Sequence, residues 1–308
     1  MLLFQPGRGL GAQNAAGVNQ QITEDINPQD YIPFAGSKIT DLGEPANITF
    51  KHNLPRLAGA TAAIPLYTAF IQALYPRGDY LNSKVLNFSP TPYAYRSLVE
   101  GYVDVIFCYA PSKEQIKLAA ARNLQYRMVP ICKDAFVFFV NKNNPVENIT
   151  LGQIRDIYAG RITNWKDAGG NEQAIIAYQR NRESGSQTAF LGIMEDETIM
   201  EPIAEKIIWG MGDMVQRVAD YRNGGGALGY SFRFFTQEMI RSDSIRLLTI
   251  DGSAPTTANI GSGGYPFTET LYAITTGGES PEVQKLLDWI LSDQGQRLIE
   301  KIGYVPVR

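Results

Sequence analysis

The sequence predicts an α/β protein with mainly parallel sheets, and three observations predict it. From about residue 46 onward, short apolar runs suited to strands alternate with segments of helical period. Three of these strand-to-helix turns carry a hydroxyl residue where a helix begins. The run "AFVFFVN" at 135–141 is continuously apolar, as in a strand buried on both faces.

Taken in order, "NITF" (47–50) and "LPRLA" (54–58) read as strands, and "AIPLYTAFIQALYP" (63–76) as a helix. "KVLNFS" (84–89) is a predicted strand, "PYAYRSLVEG" (92–101) a helix ending at Gly101, and "VDVIFCY" (103–109) a strand. After 135–141 come a helix in "LGQIRDIYAG" (151–160), a strand in "AIIAYQR" (174–180) and a helix in "SQTAFLGIM" (186–194). "MVQRVADYRN" (214–223) is helical, while "ALGYSF" (227–232) and "LYAITT" (271–276) are strands. Residues 280–303 form an amphipathic helix pair with Val283, Leu286, Leu287, Ile290 and Leu291 on one face. Residues 1–45 stand apart as an N-terminal extension, and 1–35, rich in Gly, Asn, Gln and Pro, read as loose.

Composition narrows the function. A chain of 308 residues has room for two domains and a sizeable core. The net charge of −3 offers no broad basic surface, so neither nucleic acid nor anionic lipid is an expected partner. No run of 18 apolar residues suits a membrane span, and the first residues, "MLLFQPGRG", lack the layout of a signal peptide. With one histidine, His52, and two cysteines, a four-ligand Cys/His metal cluster is not expected, no activated nucleophile stands out for a His-based triad, and no cofactor is expected. Cys108 and Cys132 sit in β-like apolar runs, where a buried free thiol is the plain reading; a disulfide between them stays open.

The three helix starts share a chemistry. Thr61 follows "LPRLAGA", Thr91 precedes Pro92 as a candidate N-cap, and Ser184-Gly185-Ser186-Gln187 fits a capping box. Each offers a hydroxyl and unpaired backbone N–H groups at the positive end of a helix, where an anion is welcome. Arg180, four residues before Ser184, could add a bidentate fork. Each hydroxyl taken alone is better explained as a simple cap, and Arg182 as a surface residue paired with Glu183, while Arg180 taken alone fits either reading. Recurrence at three turns favours an anion site.

The blocks "GATAAIPLYTAF", "LVEGYVDV", "ITNWKDAGGNEQAIIAYQRNRESGSQTAF", "NGGGALGYS" and "YPFTETLYAITT" carry a resemblance. The chain resembles the phosphate-binding extracytoplasmic substrate-binding proteins of ABC transporters, over roughly residues 54–308. The resemblance implies a two-lobed, periplasmic-binding-protein-like fold of type II, each lobe a mainly parallel sheet flanked by helices. It places lobe 1 at 46–136 and 238–308 and lobe 2 at 137–237, and implies a ligand cleft between them. Carried over by position, the ligand-binding residues are Thr61, the Ala62 N–H, Thr91, Tyr109, Arg180, Ser184, Gly185 and Ser186, with no catalytic or metal-binding residue.

Two positions depart from the family pattern. Tyr109 stands where the family has a buried aspartate that accepts a hydrogen bond from its protonated ligand, and a tyrosine can donate as well as accept. "PYAY" replaces small glycines after Thr91, bringing Tyr93 and Tyr95 near the helix start, as ligand neighbours or as core aromatics. The resemblance implies capture of an oxyanion, inorganic phosphate first, by a non-enzymatic, monomeric lipoprotein. Its partners would be ABC transporter membrane subunits, on a cell surface or in a periplasm, after removal of a signal or anchor. The alternative is a sensing or scaffolding module whose ligand has changed or been lost.

Overall fold

A computed structural model describes residues 26–308 apart from 82, 196, 203–206, 221, 223 and 224. Twelve strands are formed among the described residues: β1 (Leu57–Gly59), β2 (Val105–Cys108), β3 (Arg127–Asn141), β4 (Asn148–Ile149), β5 (Ile176–Ala177) and β6 (Gln179–Arg180), then β7 (Ile207–Ile208), β8 (Ala227–Phe232), β9 (Ile245–Leu247), β10 (Thr249–Ile250), β11 (Thr268–Thr275) and β12 (Val305–Pro306). The principal sheet runs β1-β2-β11-β3-β8-β5, with β9 and β12 also pairing β3.

The sheet is mixed, not mainly parallel. β1 pairs β2 and β5 pairs β8 in parallel, each pair being joined through intervening helices. β3 and β11 run antiparallel to their neighbours because they carry the chain back across the sheet. β3 is the spine of the molecule. Its first part pairs β11 as far as Ala135, and from Phe136 onward it pairs β8. Phe136–Val140 are fully buried, as the apolar run predicts. The strand nevertheless begins at Arg127, in a stretch where Pro130, Lys133 and Asp134 hide the pattern.

Two predicted strands do not form. Residues 47–50 are irregular, tied by the Phe50 N–H to the Leu74 carbonyl at the end of a helix. In 84–89 only Leu86 bridges, to Leu57, before Ser89 and Pro90 lead into the next helix. "AIIAYQR" is split into β5 and β6 at Tyr178.

The N-terminal extension is not loose from residue 26 on. A 3-10 turn at Pro28–Tyr31 is capped by Asn27, and Tyr31, Ile32 and Phe50 are buried. The strap is pinned to the main body where Phe34 N–H donates to Gln72 Oε1 (2.8 Å) and Asn47 N–H to Gln294 Oε1 (2.8 Å). The reading of 1–25 as loose lies outside the described residues. Cys108 and Cys132 are both buried free thiols.

Candidate functional site

Three helix starts converge on one cavity of about 130 Å³, lined by all the residues that sequence reasoning singled out: Thr61, Ala62, Thr91, Tyr109, Arg180, Ser184, Gly185 and Ser186. β1 ends at Gly59, and Thr61–Ala63 form a 3-10 turn leading into the helix Ile64–Leu74. The N-cap there is Ala60, so the Thr61 hydroxyl caps nothing. Thr91 is likewise the first helical residue of Thr91–Val99, after Pro90 at the N-cap, and not the cap itself. These two hydroxyls are thereby released from capping and border the cavity.

The third start keeps its cap. Ser184 Oγ accepts from the Gln187 N–H (3.1 Å) at the head of the helix Gly185–Met194. The reciprocal half of the predicted capping box is absent among the described contacts, because Gln187 Oε1 accepts instead from the Arg180 N–H (2.9 Å) and the Tyr230 hydroxyl. Phe190 on the same helix stacks flat on Tyr230, with ring centroids 4.6 Å apart. Helix, β6 and β8 are thus locked together beneath Arg180.

Arg180 is 6% exposed, so it is no surface arginine. Its guanidinium donates through Nη2 to the Trp209 carbonyl (2.6 Å), and its strand β6 pairs β7 in register Arg180↔Ile208. Arg182, by contrast, is exposed and reaches Glu201 at 3.5 Å, not Glu183. Among the described residues nothing hydrogen-bonds the buried Ser186 Oγ or Asn181 Oδ1, and both residues line the cavity. A buried polar atom left unpaired is destabilising by about 1–3 kcal/mol, which a ligand oxygen or donor would relieve.

Tyr109 lies at the end of β2 with its ring stacked on Phe232, centroids 3.6 Å apart. Its hydroxyl donates to Asp134 Oδ2 (2.9 Å), so its one proton is committed to a neighbour. Burial first, and the charge of Asp134 second, hold this phenol well above its ordinary range. Asp134 is 1% exposed, and burial pushes its carboxyl up to about 6, against the pull of the Ala135 N–H, Arg233, Tyr109 and the Phe234 N–H. Sequence reasoning missed Asp134. Its signal was an acid inside an otherwise apolar run.

Tyr93 borders the cavity, whereas Tyr95 is a core residue whose hydroxyl donates to the Tyr109 carbonyl (2.7 Å). Trp209, Met211 and Phe232 also line the site and were not anticipated, since they come from segments without a local motif. The lining offers hydroxyls, a guanidinium and helix N-termini against a single exposed acid, Glu183. That donor set suits an oxyanion. Among the described residues no group of His, Cys, Asp and Glu could hold a metal.

A long strand shared by two sheet halves, with a polar cavity where their helix starts meet, defines the class of two-lobed binding proteins. The chain belongs to the PBP superfamily, whose domain model matches residues 51–294. Among curated proteins it is 29% identical over 201 residues to the phosphate-binding protein PstS of Bacillus subtilis, a match spanning 65% of this chain and 62% of that protein. It is 23% identical to protein SphX of Synechococcus elongatus over 268 residues, 81% of this chain and 76% of SphX. Among the solved structures that share the fold are two of phosphate-transport proteins. One, with bound phosphate, is of a Clostridium perfringens protein provisionally named a phosphate ABC transporter substrate-binding protein (TM-score 0.64, 24% identity, 82% of this chain and 99% of that one). The other is an ABC-type phosphate transport receptor from Vibrio cholerae (TM-score 0.60, 18% identity, 82% and 99%).

Proposed function

We propose that this chain is an extracytoplasmic solute-binding protein that captures an oxyanion, inorganic phosphate first, and presents it to an ABC transporter in the membrane. The observation that carries the reading is the convergence of Thr61, Thr91, Arg180 and Ser184–Ser186 on one cavity, with the Ser186 hydroxyl buried and unpaired there. Phosphate binding by the Bacillus subtilis relative supports the choice of ion.

In this reading residues 46–136 and 238–308 form one lobe and 137–237 the other. Support comes from β3, which changes partners between Ala135 and Phe136. Thr61, Ala62, Thr91 and Tyr109 then face Arg180 and Ser184–Ser186 across the cleft. A ligand held by both sides biases the hinge toward closure, because only the closed state completes its hydrogen bonds. Arg180 supplies the charge and a fork geometry, the hydroxyls and helix N-termini the remaining donors. No bond is made or broken.

The test is calorimetry with inorganic phosphate and with sulfate. The protein as purified is first denatured and refolded, and the released anion is identified by mass spectrometry. Binding by the wild type and its loss in Arg180→Ala is the expected result. A wild type that gives no heat with either ion and releases no oxyanion sinks the capture reading.

A further inference from the structure

Asp134 sits where three parts of the molecule meet. It precedes by one residue the point at which β3 leaves β11 for β8. Its Oδ1 accepts from the Ala135 N–H (2.8 Å) and from the Phe234 N–H (3.2 Å), the latter just after β8 ends. Its Oδ2 accepts from the hydroxyl of Tyr109, a residue that lines the cavity. One carboxylate therefore ties both strands that link the sheet halves to the floor of the cleft. A second path runs along the same floor: Tyr304 stacks on Phe234 (4.0 Å) and donates to the Ala62 carbonyl (2.6 Å) beside Thr61.

We propose that Asp134 is a positioning residue for the cleft, coupling the capture of an anion to the uptake of one proton. The inference rests on the capture reading above. With the carboxylate ionised, Tyr109 spends its only proton on Oδ2 and can offer the cleft no donor. When a solvent proton arrives on Oδ2, the acid donates to the phenol oxygen, and the Tyr109 proton turns to another acceptor, the neighbouring Tyr304 hydroxyl or a cleft oxyanion. No covalent bond to Tyr109 changes; one proton enters, on the acid. The same step removes a negative charge behind the anion. Both effects tighten anion binding, so binding must in turn favour the protonated acid.

The groups facing Asp134 allow this titration near neutrality. Tyr109 approaches from β2, Arg233 and the Phe234 N–H from the end of β8, and Tyr304 from the C-terminal segment. Tyr265 precedes β11, Cys132 lies on β3 itself, and Glu269 is paired directly opposite on β11. Arg233 is the one cation among them, and it favours the ionised form. Burial opposes it, and burial together with the charge of Asp134 brings Glu269 to about 7.

The experiment measures phosphate affinity by calorimetry from about pH 5 to about pH 8 for the full chain, Asp134→Asn and Tyr109→Phe. Asparagine presents an N–H to the phenol much as the protonated acid would. The ionisation of phosphate is common to all three proteins and cancels in the ratios. Asp134→Asn is expected to bind roughly 10-fold more tightly than wild type at the alkaline end, the two converging at the acid end. A ratio that stays constant with pH makes Asp134 a structural carboxylate only and overturns the inference. Tyr109→Phe, which keeps the charge and loses the movable proton, is expected to show a flatter profile than wild type; an identical profile also overturns it. Absence of phosphate binding by wild type at every pH is a different result, which removes the capture reading and this inference with it.

Discussion

A Cβ added to Gly185 would lie 3.1 Å from the Thr91 hydroxyl oxygen, so two of the helix starts that line the cavity meet at contact distance. The backbone of Gly185 is ordinary, since its φ is not among the positive values, and the residue opens a helix. Alanine there meets no backbone strain, but its methyl approaches the Thr91 hydroxyl more closely than an ordinary contact, so that side chain must give by a few tenths of an ångström. The same methyl has to push Thr91 aside before the cleft can close. Gly185→Ala is expected to melt close to wild type and, by calorimetry, to bind phosphate roughly 10-fold more weakly. Unchanged affinity would show that closure does not bring these two residues together.

Ser186 offers a related separation of stability from binding. Its Oγ is buried and has no partner among the described residues. Ser186→Ala removes an unsatisfied hydroxyl, so the ligand-free protein should gain up to about 1 kcal/mol. Phosphate affinity should fall, by roughly 5- to 20-fold, because the hydroxyl is made for the ligand. A variant that loses stability and keeps its affinity would place Ser186 in the scaffold instead.

The loops that line the cavity were legible in the sequence because their features are local. Ser184, Gly185, Ser186 and Arg180 stand within seven residues, and a helix cap and an arginine need no distant partner to be noticed. The capping roles of Thr61 and Thr91 were misread because a hydroxyl before a helix looks the same one residue inside as outside. Tyr109 looked like a loss of the buried acid. A buried acid stands 25 residues further on, at Asp134, behind the cavity lining, and reaches the tyrosine only because β2 and β3 both flank β11. The full length of β3 was hidden for a similar reason: Lys133 and Asp134 break its apolar pattern, yet pairing to β11 and β12 keeps the strand whole.

The buried acids also set how stability follows pH. Asp134 rises from its ordinary 3.8 to about 6 and Glu269 from 4.5 to about 7, burial being the first cause for both. Between those limits the folded protein holds protons that the unfolded chain has released, so stability falls as pH rises through the window. For fully buried Asp134 the loss is on the order of 3 kcal/mol. Thermal melts should peak near the acid end of the window and decline toward pH 7, with a shallower decline in Asp134→Asn. A melting temperature that climbs over the same range contradicts the assignment.

Trp209 gives the cleft an optical reporter. Trp165 and Trp289 are 1% and 3% exposed, whereas Trp209 is 63% exposed and lines the cavity. Its carbonyl accepts the Arg180 guanidinium, so a ligand that draws on Arg180 also bears on the backbone that carries this ring. An exposed indole should be quenched readily by acrylamide, and the two buried ones poorly. Adding phosphate should shift the emission of Trp209 and reduce its quenching as the cleft closes around it. Trp209→Phe should abolish that response while calorimetry still records binding, because the bond to Arg180 uses the backbone oxygen and not the ring. If the response survives in Trp209→Phe, the signal comes from a buried tryptophan and closure must reach deep into the core.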